Sequence, residues 1–98
     1  MEKLHTPQVD ELFEAILSLK TPEECYSFFE DVCTVKEIMD IAQRLKTARM
    51  LSEGANYQEI NKETGCSTAT ISRVRRSLEY GAGGYKTVLS RTDKKESQ

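Results

Sequence analysis

Residues 57–76, with the sequence YQEINKETGCSTATISRVRR, have the pattern of two short helices joined by a tight turn. Gly65 supplies the positive φ angle that such a turn requires, and Ser67 caps the second helix. The inward positions are apolar or small: Ile60, Thr64, Cys66, Ile71 and Val74. This spacing predicts a helix-turn-helix over residues 56–80, with its second helix over 67–80.

The second helix has an apolar side and an opposite polar side. Ile71, Val74 and Leu78 lie together when the sequence is projected on a helix. The polar side carries small residues and arginines: Thr68, Ala69, Ser72, Arg73 and Arg76. Small side chains let a helix enter the major groove, where hydroxyls and methyls contact base edges. Arginines farther along can bind phosphates or guanine edges, so we expect this helix to bind double-stranded DNA.

Other interpretations of the basic helix remain open. Solvated arginines on an ordinary amphipathic surface helix have the same pattern. A protein-interaction module could use the same arginines to dock an acidic partner. RNA binding is less favoured, because few aromatic residues near the basic end could stack on bases: Tyr57, Tyr80 and Tyr85.

The composition, 38% hydrophobic and 31% charged over 98 residues, predicts one soluble domain with a small core. No apolar run approaches the roughly 18 residues of a membrane span, and the N-terminus lacks the apolar block of a signal peptide. We therefore expect a cytoplasmic protein without membrane contact. Residues 1–40 carry ten acidic and three basic side chains, whereas residues 41–98 carry six and eleven. This asymmetry suggests assembly through the first part and polyanion binding through the second.

Capping motifs predict a series of helices and an all-α fold. They are Thr6-Pro7, Thr21-Pro22 with Glu24, Thr34 with Glu37, and Asn56 with Glu59. The motif of Thr34 and Glu37 begins a helix that ends near Ser52. This helix is long for a small domain, so it could be broken once. Its inward positions are Ile38, Ala42, Leu45, Ala48 and Leu51.

The domain has three predicted parts. Residues 1–55 form the N-terminal helices, and residues 56–80 form the helix-turn-helix. Residues 81–98 form a turn, a short helix and a flexible tail. Within the last part, GAGG at 81–84 ends the preceding helix, and residues 85–89 are expected to add one helical turn.

The residue types argue against metal and catalytic chemistry. Cys25, Cys33 and Cys66 are expected to be small core residues, since no C-x-x-C pair occurs and the only histidine is His5. The hydroxyl residues of the second helix have no histidine to act as a base. We expect neither a metal site nor enzyme activity.

Two longer stretches are similar to a known family. AQRLKTARMLSEG at 42–54, followed by residues 57–73, resembles the Trp repressor superfamily, and SRVRRSLEYGAGGY at 72–85 resembles its YerC/YecD branch. The resemblance extends over residues 8 to about 90. It implies a transcriptional regulator that is an intertwined homodimer, with residues 1–55 as the dimerisation core. Two helix-turn-helix units would then face major grooves about 34 Å apart.

The resemblance also implies which residues contact DNA. Base-reading positions of the family fall on Thr68, Ala69, Thr70 and Ser72, and Gln58 and Asn61 match contacting positions on the preceding helix. Ser67 joins them because a helix N-terminus favours phosphate. The complete expected set is Gln58, Asn61, Ser67, Thr68, Ala69, Thr70, Ser72, Arg73 and Arg76.

The resemblance places a small-ligand site at Arg44, Arg73 and Ser77, where the repressor holds tryptophan between its long helix and its recognition helix. The glycine that leaves room for that ligand is Val74 here. A valine side chain would fill the indole slot, so we expect no L-tryptophan and no other cofactor. An unidentified small-molecule effector at this site remains an open alternative.

Overall fold

The computed structural model describes residues 2–93, and the secondary structure of that part consists of helices joined by short turns. A short 3-10 helix, Glu2–Leu4, precedes the α-helices. They are α1 (Pro7–Leu17), α2 (Pro22–Val32), α3 (Val35–Ser52), α4 (Tyr57–Thr64), α5 (Thr68–Tyr80) and α6 (Gly84–Arg91). The all-α prediction is confirmed. Most of the expected flexible tail, residues 94–98, lies outside the described part. Among the described helices, none combines the length and apolarity that crossing a bilayer requires.

Threonine caps begin α1 and α2 as the sequence predicts. Thr6 Oγ1 accepts a hydrogen bond from the Val9 N–H at 3.2 Å, and Thr21 Oγ1 accepts one from the Glu24 N–H at 3.1 Å. Proline follows each cap, where its missing N–H has no cost. The Glu24 carboxylate accepts from the N–H of Lys20 at 2.7 Å, one residue earlier than in a capping box.

The unit of the chain that ends at Ile38 buries little apolar surface. Neither α1 nor α2 has a buried residue. Phe28 and Phe29 pack edge to face with ring centroids 5.3 Å apart, and both are half-buried. Cys25 is exposed, so its prediction as a core residue is wrong: apolar spacing identifies a helix face but not what covers it.

Helix α3 begins with a complete capping box. The Thr34 N–H donates to Glu37 Oε1 at 2.8 Å, and the Glu37 N–H donates to Thr34 Oγ1 at 3.1 Å. The helix continues without a break for 18 residues, because it contains no proline or glycine to interrupt it. Ala48 is buried as expected, but Ala42 is exposed, which corrects the inward assignment of that residue.

The unit that begins at Met39 contains two small cores. The first consists of Ala48, Val74 and Leu89, with partly buried Leu45, Leu51, Leu78 and Tyr85 around it. The second consists of Ile60, Cys66 and Ile71, with Met50, Leu51, Ala55 and Tyr57 around it. Full burial of an aliphatic side chain contributes about 1.5–3 kcal/mol, so these residues hold α4, α5 and α6 against the second half of α3.

Helix α6 has eight residues, about two turns rather than the single turn expected. It starts one residue after Gly83, whose φ of 88° requires glycine. The helix extends because Leu89 is buried against Ala48 and Val74. Beyond its end, Arg49 Nη2 donates to Thr92 Oγ1 at 2.8 Å.

Candidate nucleic-acid interface

Helix α4 begins with a capping box at Asn56 and Glu59, where the sequence predicts the helix start. Asn56 Oδ1 accepts from the Glu59 N–H at 2.9 Å, and Glu59 Oε1 accepts from the Asn56 N–H at 2.8 Å. Four N–H groups at a helix start lack helical partners, and this box satisfies two of them. The negative charge of Glu59 also interacts favourably with the dipole at the helix N-terminus. The start of the first helix of the helix-turn-helix is therefore determined by the local sequence.

The turn between α4 and α5 depends on Gly65. Its φ is 79° and its ψ is 0°, in the left-handed region, and its N–H donates to the Asn61 carbonyl at 2.8 Å. A Cβ atom at this position would meet nothing within 4 Å, so glycine is required by the backbone angle rather than by lack of space. The predicted role of Gly65 is confirmed.

The five inward positions predicted from the sequence are all buried, and Ile60 and Ile71 have no exposed surface. The polar members have partners: Thr64 Oγ1 donates to the Ile60 carbonyl at 2.8 Å and accepts from the Cys66 N–H at 3.1 Å. Thr47 on α3 donates to Cys66 Sγ at 3.3 Å. The burial of Thr47 cannot be predicted from the sequence, since nothing local marks a threonine in mid-helix as buried.

The residues predicted to contact DNA lie on α4 and at the start and middle of α5. Ser67 caps α5, because its Oγ accepts from the Thr70 N–H at 3.2 Å. Thr70 is half-buried, and the others are exposed: Gln58, Asn61, Ser67, Thr68, Ala69, Ser72, Arg73 and Arg76. On α5 the exposed side is opposite the side that buries Ile71 and Val74, so small and basic side chains are presented together.

Arg44, Arg73 and Ser77, the predicted small-ligand residues, line one cleft of about 430 Å³. Thr70, Val74 and Tyr85 complete its wall. Val74 is only 2% exposed, since its side chain packs with Ala48 and Leu89. Tyr85 of α6 was not predicted here, because only the fold of the chain after Gly83 brings it to α5.

A second polar cluster, which we call the Tyr57 cluster, consists of Tyr57, Ser72, Arg75 and Glu79. The Tyr57 hydroxyl and Ser72 Oγ are 3.4 Å apart, and Arg75 Nε lies 3.4 Å from Glu79 Oε2. Hydrogen bonding with Ser72, and next with Arg75, holds the pKa of Tyr57 below its ordinary value. Hydrogen bonds to Tyr57 and Glu79 raise the pKa of Arg75. The cluster joins α4 to α5, and sequence analysis missed it.

Comparisons with known proteins identify relatives over nearly the whole chain. Residues 7–93 match the family model described as Trp repressor protein. The chain is 53% identical to the protein YerC of Bacillus subtilis (strain 168), over all of this chain and 94% of that protein. A TrpR-like protein from Eubacterium eligens ATCC 27750 is 55% identical, with a TM-score of 0.91 over 93% of this chain and 94% of that chain. A solved structure from Staphylococcus aureus is 52% identical, with a TM-score of 0.90 over 94% of this chain and 92% of that chain.

Proposed function

Because the chain belongs to the Trp repressor family, we propose that it is a transcriptional regulator that binds double-stranded DNA sequence-specifically. The family membership confirms the resemblance that residues 42–54 and 57–85 predict. One observation carries the proposal: α5 buries Ile71 and Val74 completely or nearly so, and exposes small and arginine side chains on its other side.

Helix α5 has the features of a helix that enters the major groove. Thr68 and Ala69 are exposed in its first turn, where short side chains permit close approach and the free N–H groups favour a phosphate. The Ala69 methyl is suited to the methyl group of thymine. Arg73 and Arg76 follow on the exposed surface and are the proposed phosphate or guanine contacts.

Assembly with a second copy of this chain is part of the proposal. Large apolar side chains are exposed on α1, α2 and the start of α3: Leu12, Phe13, Leu17, Tyr26, Val32, Val35, Met39 and Ile41. Leu17 is 83% exposed and Val35 is 76% exposed. Soluble monomers rarely leave so many large apolar side chains together in contact with solvent. An isologous homodimer would bury these residues and would give two α5 helices a two-fold arrangement.

Regulation by L-tryptophan is not part of the proposal. Val74, at the position where the resemblance expects a glycine that leaves room for the ligand, lines the cleft with Arg44, Arg73 and Ser77. The cleft volume is within the range of small-molecule sites, and a different anionic effector would suit the two arginines. We propose a cytoplasmic regulator without enzyme activity, with no cofactor of its own.

Selection of bound fragments from the native genome is the direct test. Fragments retained by the purified protein should share a near-palindromic sequence, and gel retardation by that sequence should weaken steeply as salt rises. A matched random fragment should bind weakly at the same salt concentration. The proposal would be wrong if no fragment were retarded even at low salt, and docking of an acidic protein partner by α5 would then be the better explanation.

A further inference from the structure

Tyr57 lies at the first position of α4 and reaches α5. Its ring packs against the core of Ile60, Cys66 and Ile71, so the ring is held in place. Its hydroxyl group is 3.4 Å from Ser72 Oγ, fifteen residues farther along the chain. Ser72 is exposed on the side of α5 that is proposed to face DNA.

Arg75 and Glu79 lie beside the contact between Tyr57 and Ser72. Both line one cleft with Tyr57. Glu79 Oε2 lies 3.4 Å from Arg75 Nε, one helical turn away, and limits the rotation of the guanidinium group. Either hydroxyl can be the donor between Tyr57 and Ser72, and in both cases the contact limits the rotation of the Ser72 side chain.

We propose that Tyr57 is a positioning residue for DNA recognition: the hydrogen bond between its hydroxyl and Ser72 Oγ holds the Ser72 side chain in one orientation for contact with DNA. A serine hydroxyl otherwise rotates and can donate or accept. Held in this way, the Ser72 hydroxyl can contact a phosphate oxygen or a base edge in the major groove. Since this rests on the proposed DNA binding, the test includes the unaltered protein.

The pKa of Tyr57 is lowered, in keeping with hydrogen bonds at its oxygen. The first cause of this shift is the hydrogen bond with Ser72, and the second is the hydrogen bond with Arg75. The negative charge of Glu79 raises the pKa of Tyr57 and so opposes these two causes. Glu79 is also the ion-pair partner of Arg75. The Arg75 charge is therefore partly balanced within the protein, which distinguishes Arg75 from Arg73 and Arg76 as a phosphate ligand.

The experiment measures the affinity of four variants for the selected DNA site: Tyr57→Phe, Ser72→Ala, the double variant, and Tyr80→Phe as a control. Tyr57→Phe keeps the ring and removes only the hydroxyl. Tyr80 is 82% exposed on α5 and lies outside the Tyr57 cluster. Tyr80→Phe therefore removes the same hydroxyl group without affecting the cluster. Thermal unfolding of each variant checks that the fold is retained.

Tyr57→Phe and Ser72→Ala should each weaken DNA binding by about 3- to 10-fold, the effect of one hydrogen bond. The double variant should be no weaker than Ser72→Ala alone, because Tyr57 acts only through Ser72. The dependence of affinity on salt should not change, since neither hydroxyl carries a charge. Tyr80→Phe should bind as the unaltered protein does.

Three results would overturn the role of Tyr57. Binding by Tyr57→Phe equal to that of the unaltered protein would show that its hydroxyl does nothing for recognition. Additive losses in the double variant would show that Tyr57 acts independently of Ser72. If the unaltered protein retarded no DNA, the proposed function would fail first and the role of Tyr57 with it.

Discussion

Asn61 on α4 donates its side-chain amide to the carbonyl oxygen of Cys66, on the other side of the turn, at 2.8 Å. The backbone carbonyl of the same Asn61 accepts the Gly65 N–H. One residue thus closes the helix-turn-helix bend with both its side chain and its backbone. Asn61 is also in the predicted DNA-contacting set, and one amide N–H and the side-chain oxygen have no bond within the turn.

We expect Asn61→Ala to lower the free energy of unfolding by about 1 kcal/mol, since the Cys66 carbonyl loses its donor. Urea unfolding at a fixed protein concentration measures this. Gln58→Ala is the control on the same helix, because Gln58 is exposed, and it should change stability by less than about 0.5 kcal/mol. Equal urea midpoints for the two variants would show that the hydrogen bond from the Asn61 side chain contributes nothing to stability.

Gly65→Ala should destabilise the protein by about 1–2 kcal/mol, the cost of a side chain in the left-handed region. No clash adds to this, since a Cβ atom there would have no neighbour within 4 Å. Gly84→Ala is a matched change at the start of α6 with equally open surroundings and no positive φ. It should be neutral or stabilising by up to about 1 kcal/mol. Thermal unfolding of both variants checks the difference, and a neutral Gly65→Ala would contradict it.

Arg76→Ala should weaken binding to all DNA sequences alike and should reduce the slope of log affinity against log salt by about 0.9, one phosphate contact. Arg73→Ala should act in the same way. Lys20→Ala removes the same charge from the acidic first part of the chain and should leave the slope unchanged. Fluorescence anisotropy over a series of salt concentrations measures each slope, and an unaltered slope for Arg76→Ala would exclude it as a phosphate ligand.

L-Tryptophan at micromolar concentration should leave the unfolding temperature of the protein unchanged, because a valine rather than a glycine forms the wall of the cleft at position 74, beside Arg44 and Arg73. Val74→Gly should be less stable by roughly 2–4 kcal/mol, through lost buried methyl groups and a glycine within a helix. That variant is the one in which added tryptophan should raise the unfolding temperature. Saturable calorimetric binding of tryptophan to the unaltered protein would contradict the proposed tryptophan independence.

Tyr57 should ionise at lower pH than an ordinary tyrosine, since hydrogen bonding with Ser72, and next with Arg75, lowers its pKa. Alkaline absorbance titration, compared with Tyr57→Phe, isolates this residue, and Ser72→Ala should return its pKa toward about 10. The pKa of Tyr57 is lower in the folded protein than in the unfolded chain. Ionisation of Tyr57 therefore stabilises the folded state fully above about pH 10, and this contribution is lost as pH falls through the folded-state pKa. A pKa unchanged by Ser72→Ala would argue against the bond between them.

Features that depend on residues three or four positions apart were predicted correctly from the sequence. The caps at Thr6, Thr21 and Asn56 and the left-handed turn at Gly65 are of this kind. The exposed Ala42 was predicted wrongly because apolar periodicity identifies a helix face without identifying its cover. The length of α6 was also underestimated, since its second turn depends on the burial of Leu89 against α3 and α5.

The sequence alone determined the helices, the turn and the side of α5 that carries the arginines, since backbone geometry and helical periodicity are local properties. Only the tertiary structure decided which distant side chains meet: Tyr57 with Ser72, Thr47 with Cys66, and Tyr85 with the cleft beside Arg73. These contacts depend on the angles at which packed helices cross. Crossing angles follow from how buried side chains interdigitate, and the spacing of residues along the chain does not determine them.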